Sequence, residues 1–440
     1  MSQLITVIIV GFACLFLVSC QRAPEHLPAP GGIATMSALA NRTFVLPSPT
    51  LGRAEQLRFW TGFALFRDPW VRAPASTTAR DGLGPLFNAR SCIACHSGAG
   101  RGSSIIASPQ SPGTVFRVDP GSSADRWGSQ LQPRATYDMR GDGVRTRGFF
   151  AAEPQPQIEV IVSSNGMRRI GATLEGHSDV ALSVRIAPSL AGVGLLNAIP
   201  EASLISLSDP DDLDDDGISG RVHRLVDGEI GKFGWKAQHA SVATQTAAAF
   251  VQDIGITSSI APQESCSLQQ TDCSLQPSGR GPSGNAEIPD ELFAYIVDFV
   301  SGLPVPNARP VTPEIAAGQR LFKRLRCNEC HTPSHAIQYQ DQTDTIWPYT
   351  DLLLHDMGQQ LEDGVVEGDA ESREWRTPPL WGLGVARTIN ANTGLMHDGR
   401  ARDIREAIMW HGGEAAVSAS AFSKLPENQK DALAAFVLAL

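Results

Sequence analysis

The chain has 440 residues, 42% hydrophobic and 19% charged, enough for about two or three domains and a substantial core. Its formal net charge of −10 argues against nucleic acid or an anionic membrane surface as the main partner. A basic protein partner would suit that charge.

The N-terminus carries an uncharged apolar run, Leu4 to Val18. It is too short to span a bilayer comfortably and suits a secretory h-region. The run ends in Leu17-Val18-Ser19-Cys20, which looks like a bacterial lipobox. Cleavage before Cys20 would leave that Cys to carry lipid. No Lys or Arg precedes the run, so an uncleaved anchor or an ordinary signal peptide stays open. Gln21 leans toward the outer membrane. Residues 1–20 are therefore expected to be a lipoprotein signal peptide. Residues 21–50, rich in Pro, Ala and Gly, are expected to be a flexible tether. The expected location is the periplasmic side, lipid-anchored to the outer membrane.

Residues 51–66 read as a helix with Leu57, Trp60, Phe63 and Ala64 on one face. A Gly-rich approach, Gly82-Leu83-Gly84-Pro85, leads to Cys92-Ile93-Ala94-Cys95-His96. This C-x-x-C-H pattern reads as a covalent c-type haem site. Two thiols add across the vinyl groups of one haem, and the adjacent His reaches the iron from the proximal side. A thioredoxin-like pair needs no His directly after the second Cys. A zinc site needs two more ligands close by, and none sits near Cys92. The loop from Ser97 to Gly102 is glycine-rich and can run close over a haem edge.

Ile158 to Val162 alternates and is followed by Ser-Ser-Asn-Gly and then Met167 to Thr173, which predicts a β-hairpin. Residues 209–220 are the most acidic stretch. Asp212, Asp214, Asp216 and Gly217 match the front half of an EF-hand loop. His223 stands where that loop would carry its last Glu, so a calcium site completed by other residues and a solvated acidic turn both stay open. Phe233 to Ala237 precedes a helix expected through Gln245 to Val251. Of the 8 cysteines, Cys14 and Cys20 belong to the export segment. Cys266 and Cys273 lie in a loop over 263–287. An oxidising compartment favours a disulfide between them, with a redox-active thiol pair as the alternative. Ile288 to Gly302 reads as an amphipathic helix.

A second unit starts at Thr312-Pro313-Glu314, which opens a helix running to Leu321-Phe322. The motif recurs as Cys327-Asn328-Glu329-Cys330-His331. Leu86-Phe87 precedes Cys92 by the interval at which Leu321-Phe322 precedes Cys327, giving a recurring L-F-x4-C-x2-C-H. Pro426 to Leu440 reads as a closing helix whose Leu433, Phe436 and Leu440 echo Leu292, Tyr295 and Phe299. The expected fold is mainly α. It has two cytochrome c-like domains, 51–303 and 304–440, the first enlarged by loops and a small β-hairpin region.

Distal ligands decide whether a haem passes electrons or binds an oxidant. No His occurs between Ser97 and Gly176, so an open position is expected at the first haem. Met396, His397, Met409 and His411 are candidates at the second. His335 sits too close to His331 to reach the opposite face easily. His26, His177, His223, His239 and His355 read as surface or structural.

The stretches Asp351-Leu-Leu-Leu-His355-Asp-Met-Gly358, Glu374-Trp-Arg-Thr-Pro-Pro-Leu-Trp-Gly382, His397-Asp-Gly-Arg400 and Glu406-Ala-Ile-Met-Trp-His-Gly-Gly413 resemble the bacterial di-haem oxidoreductase family. Gly82–His96, Asp211–Arg221 and Phe233–Ala237 fit the same resemblance, which spans roughly residues 55 to 440. Members are labelled peroxidases or, loosely, thiol oxidoreductases. The family looks related to the di-haem cytochrome c peroxidases and to the di-haem enzyme that matures methylamine dehydrogenase.

The resemblance implies His331/His411 coordination, because the relatives place a distal ligand fourteen residues after the His of an H-D-G motif. Met409 is the runner-up. It implies that Trp235 assists electron transfer between the haems and that Gln245, ten residues on, lines the first haem pocket; core packing is the other reading of Trp235. The relatives' acidic residue after that Gln has no Glu here, and Asp253 is the nearest acid. Calcium between the domains is a further implication for the acidic turn. The function so implied is peroxidase-like, with peroxide or a related oxidant reacting at His96 and a redox protein or small donor supplying electrons. A plain di-haem electron carrier is the alternative, and thiol–disulfide exchange at Cys266 and Cys273 a weaker one.

Overall fold

Gly52 starts the first long helix, α1 (Arg53–Arg67), where the Glu55 carboxylate accepts the Gly52 N–H at 2.7 Å. The acid in the first turn complements the helix dipole, as Arg67 does in the last. The computed structural model describes residues 26–36, 44–77, 80–108, 111–119, 121, 126–136, 153–280 and 286–440. The expected signal peptide, with Cys14 and Cys20, lies outside the described residues.

The fold is mixed and mostly helical, and every sheet among the described residues has two strands. Its organising feature is one helical arrangement used twice. In the first copy α1 packs on α4 (Asp290–Ser301), and α2 (Val193–Asn197) packs beside them. In the second, α5 (Pro313–Arg324) packs on α8 (Glu427–Val437), with α6 (Leu383–Ile389) alongside. Two further helices, α3 (Val242–Ala249) and α7 (Ile404–Met409), carry site residues.

Small residues set both crossings. A Cβ on Gly62 would lie 1.9 Å from the Tyr295 carbonyl, and one on Gly318 1.9 Å from that of Ala432. Gly194 meets the Ser301 carbonyl and Gly384 that of Leu438 in the same way. α2 and α6 each start from a left-handed glycine, Gly192 at φ 69° and Gly382 at φ 72°, a conformation that costs glycine least. The residues leading in also match: Arg185-Ile-Ala-Pro188-Ser-Leu190 against Arg376-Thr-Pro-Pro379-Leu380, one residue shorter.

Four sequence expectations change. The buried stripe of α1 is Phe59, Gly62, Leu65 and Phe66, while Leu57 and Trp60 are exposed. The close crossing at Gly62 selects the face, and hydrophobicity alone does not. Leu86–Phe87 is a strand paired with Arg134–Ala135, so it does not correspond to Leu321-Phe322 in α5. The true counterpart is Leu65-Phe66: Gly62-Phe-Ala-Leu65-Phe66-Arg67 matches Gly318-Gln-Arg-Leu321-Phe322-Lys323. The closing helices match Phe299 with Phe436, one turn away from the expected register. The described part of 21–50 is packed down rather than loose. Ala34 and Phe44 are buried, and Thr35–Met36 pairs in parallel with Val305–Pro306.

Other elements fall where expected. The hairpin pairs Gln157–Val162 with Arg168–Thr173 and turns at Gly166, φ 79°. Cys266 and Cys273 form a disulfide. The first core gathers Phe59, Phe66, Phe250 and Phe299, and the second Phe322, Phe422 and Phe436. Each such ring contributes about 1.5–3 kcal/mol by leaving water. Among the described residues no helix is long and apolar enough to cross a membrane.

Candidate functional site

Each motif forms one helical turn, Cys92–Cys95 and Cys327–Cys330, ending at its His. The same core ring supports both imidazoles: Phe66 lies 6.5 Å from His96, and Phe322 lies 6.3 Å from His331. His96 Nδ1 sits 2.9 Å from the Pro188 carbonyl, and His331 Nδ1 sits 3.0 Å from that of Tyr349. A carbonyl only accepts, so each Nδ1 carries the proton and each Nε2 is left with a lone pair. That tautomer is the one a metal ligand needs. Burial pushes both imidazoles down to about 4, so they are neutral at pH 7. Burial also pushes Cys92 and Cys327 up to about 12, which keeps them as thiols.

The surroundings of the two His rings differ. His96, Cys92 and Cys95 line a cavity of about 260 Å³. Helix α3 contributes Val242, Gln245, Thr246 and Ala249 to its wall, the spacing of one helix face. Ser241 caps that helix by accepting the Thr244 N–H at 3.1 Å. The Gln245 Oε1 is buried without a hydrogen-bond partner. Trp235 and Asp253 line the same space, so the three residues expected to serve the first site are brought together. The Trp235 indole donates to the Ile186 carbonyl at 2.9 Å. Asp253 follows α3 in a π-helical turn and accepts from Gln130 Nε2 at 2.7 Å. Burial pushes its carboxyl up to about 6, against the pull of Gln130 and Arg117.

His331 faces His411 instead. Their ring centroids are 6.5 Å apart, and His411 Nδ1 sits 2.8 Å from the Ala407 carbonyl of its own helix, α7. Imidazole nitrogens lie about 2 Å from a bound metal, so this separation suits one metal atom between the rings. Met409, the runner-up, is 37% exposed. His397 belongs to a different cluster: it stacks on Trp375 at 3.7 Å, planes inclined by 8°, and meets Trp235 edge-on at 6.5 Å.

In the acidic turn the structure separates Asp216 from the other two aspartates expected there. The Asp216 carboxylate ion-pairs with Arg326 and accepts the Ile218 N–H at 2.8 Å. The carboxylates that converge belong to Asp209, Asp212 and Asp214. Asp212 is already engaged by the N–H groups of Asp216 and Gly217. The turn also tethers Arg326, the residue before Cys327.

Three of the His residues read as surface or structural lie in the interior or at the cavity wall. His239 lines the first cavity and is pushed down to about 4 by burial and by Arg117. His223 Nδ1 sits 2.6 Å from the Lys236 carbonyl. His355 lies between Asp351 and Glu414 at 2.9 Å and 2.6 Å, beside Cys330. Four arginines on the cavity wall, Arg101, Arg117, Arg185 and Arg376, carry no motif. A charged residue inside Gly100-Arg101-Gly102 and the repeated Arg before Pro188 and Pro379 were the available signals.

Fold and sites together define a redox-cofactor protein with a duplicated thiol-and-imidazole centre. The family described as "Di-haem oxidoreductase, putative peroxidase" matches residues 26–118 and 163–440. The chain belongs to the di-haem oxidoreductase family, and membership implies two haems. The paired thiols and proton-locked imidazoles fit that group at both sites. No curated protein matches the chain. Hydrazine synthase from Kuenenia stuttgartiensis, in a structure pressurised with xenon, aligns over 100% of both chains at 13% identity and a TM-score of 0.34. That likeness is too distant to carry an argument.

Proposed function

We propose that the protein is an exported, lipid-anchored di-haem c-type oxidoreductase that reduces peroxide or a related oxidant at its first site. Cys92 and Cys95 hold one haem with His96 as its proximal ligand, in a domain over 51–303. Cys327 and Cys330 hold the other between His331 and His411, in a cytochrome c-like domain over 304–440. The supporting observation is the contrast between the two sites: His96 faces a cavity, whereas His331 faces a second imidazole. A position without a protein ligand admits an oxidant, and a filled one passes electrons. The motif at Leu17–Cys20 supports export and a lipid on Cys20.

The haems, when bound, supply the iron chemistry that splits a peroxide bond; the chain supplies position, protons and an electron route. Reducing a peroxide to water consumes two protons and two electrons. Asp253, with its carboxyl near pH 6, is the group able to give and regain a proton at the cavity wall. The unpartnered Gln245 oxygen accepts a hydrogen bond from a proton-bearing oxidant. Trp235, backed by the His397 and Trp375 rings, lies on the route for electrons from the second site. The donor is a redox protein or a small reductant.

Low-temperature EPR of the oxidised holoprotein, with covalent haem quantified, tests this reading. One high-spin and one low-spin ferric signal at two haems per chain is expected. Two low-spin signals that persist on partial reduction would replace it with an electron carrier.

A further inference from the structure

Arg101 and Arg376 are each only 7% exposed and line the first cavity. Both are bonded to main-chain carbonyls. Arg101 donates from Nε to Gly394 at 3.2 Å and from Nη2 to Met396 at 3.0 Å. Arg376 donates from Nε to Gly234 at 2.8 Å and from Nη1 to Thr377 at 3.2 Å. Carbonyls satisfy hydrogen bonds but leave the charge unbalanced. With no counter-ion beside them among the described residues, burial pushes both guanidinium groups down to about 10, and only the field of Asp351 helps Arg376. Asp351 is itself committed to His355 at 2.9 Å.

Arg185 supplies the internal comparison. It holds the place in the first repeat that Arg376 holds in the second, and it lines the same cavity. Yet it donates to Glu367 at 2.6 Å and to Asp363 at 2.9 Å, and its charge is raised in stability. Among the described residues, carboxylates pair with one repeat's arginine and none pairs with the other. Buried charges are paired in native proteins because desolvation otherwise opposes them. Both arginines line the cavity, so its occupant is placed to supply their partner.

The two arginines also flank one residue. The Arg376 backbone N–H donates to the Trp235 carbonyl at 3.0 Å, and the Arg101 guanidinium lies 5.6 Å from the centre of the Trp235 ring. We propose that Arg101 and Arg376 form a carboxylate-binding pair in the first cavity, and that they hold the propionates of the haem attached at Cys92 and Cys95. This rests on the proposed covalent haem there. Planar guanidinium forks match carboxylates in geometry and charge. A free substrate carboxylate would offer the same chemistry.

The experiment uses the holoprotein, Arg101→Gln, Arg376→Gln and their Lys counterparts. Haem content is measured first, then the midpoint potential of each haem by spectroelectrochemistry. Wild type with two covalent haems is the premise; fewer would defeat the functional reading rather than this pair. Both Gln variants are expected to keep two haems, with the first haem's potential moved negative and the second's unchanged. An unmoved first potential overturns the proposal. If a Gln variant does not accumulate, the Lys variants decide. They keep the charge but lose the fork, so the propionate bending modes of the first haem should shift in resonance Raman spectra, and unshifted modes overturn the proposal. Acetate and benzoate titrations separate the two sources. Saturable perturbation of the wild-type first haem that Arg101→Gln abolishes would assign the pair to a free carboxylate and overturn the propionate assignment.

Discussion

Gly62 and Gly318 occupy equivalent places: a methyl group on either would lie 1.9 Å from a carbonyl oxygen of the facing helix. Neither contact can relax by moving a flexible side chain, because the obstacle is backbone. Gly62→Ala and Gly318→Ala should each destabilise the fold by about 1–3 kcal/mol through overpacking, despite the helix propensity gained. Denaturant unfolding of the holoprotein measures this. A loss within about 0.5 kcal/mol, the range of neutral surface changes, would show that the crossing is not tight.

The facing of His331 and His411 makes a spectroscopic prediction. His411→Ala should convert the second haem's low-spin signal to high-spin and leave the first haem unchanged. Met409→Leu, at an exposed position, should change neither. A low-spin second haem that survives in His411→Ala and is lost in Met409→Leu would reverse the ligand assignment.

The motifs were legible because covalent chemistry fixes their spacing, and His411 was singled out from four candidates through family resemblance. The duplicated fold was legible in outline but in the wrong register. Leu65-Phe66 stands 26 positions before Cys92 by residue number, with the cis Ala73-Pro74 segment and the Leu86–Phe87 strand in between. Leu321-Phe322 runs almost directly into Cys327. A nearby Leu-Phe at the same interval therefore imitated the repeat. Several buried His and Arg residues were not legible, because partners that fix them lie far along the chain. Arg185, for example, meets Glu367 across 182 positions.

Asp253 should leave its signature in pH dependence. Its carboxyl is raised from 3.8 to about 6, so the native state holds a proton that the unfolded chain has lost across that window. Stability contributed at this site therefore falls as pH rises from about 4 to about 6. Asp253→Asn should flatten that slope and leave the fold no less stable at pH 7. In peroxide turnover the same variant should lose the limb near pH 6 and slow by about 10²–10⁴-fold, the usual size of a lost acid–base group. An unchanged pH–rate profile would remove Asp253 from proton transfer.

His355 is shifted in the same direction for the opposite reason, because its charged form is the favoured one. Its ring is 2% exposed and lies against Gly220, where a Cβ would come within 2.4 Å of it. Burial works against its charge, but Asp351 and Glu414 outweigh that and hold the imidazolium well above the usual His range. Glu414 is lowered in turn, its own desolvation outweighed by His355. The stability from this clamp is fully present below pH about 6.5, the unfolded His value. It is lost as pH rises through the folded value. His355→Gln leaves two buried carboxylates without a cation, so it should cost about 3–5 kcal/mol at neutral pH. The gap between wild type and variant should narrow in alkaline solution. Glu414 also accepts from Ser219 Oγ at 3.0 Å and from the Asp356 N–H at 3.0 Å, so the variant should loosen the acidic turn where it meets the second site. Hydrogen exchange at Ser219 and Gly220 reads that loosening directly. A gap independent of pH, with unchanged exchange at these amides, would mean that His355 is neutral and packs without clamping the two carboxylates.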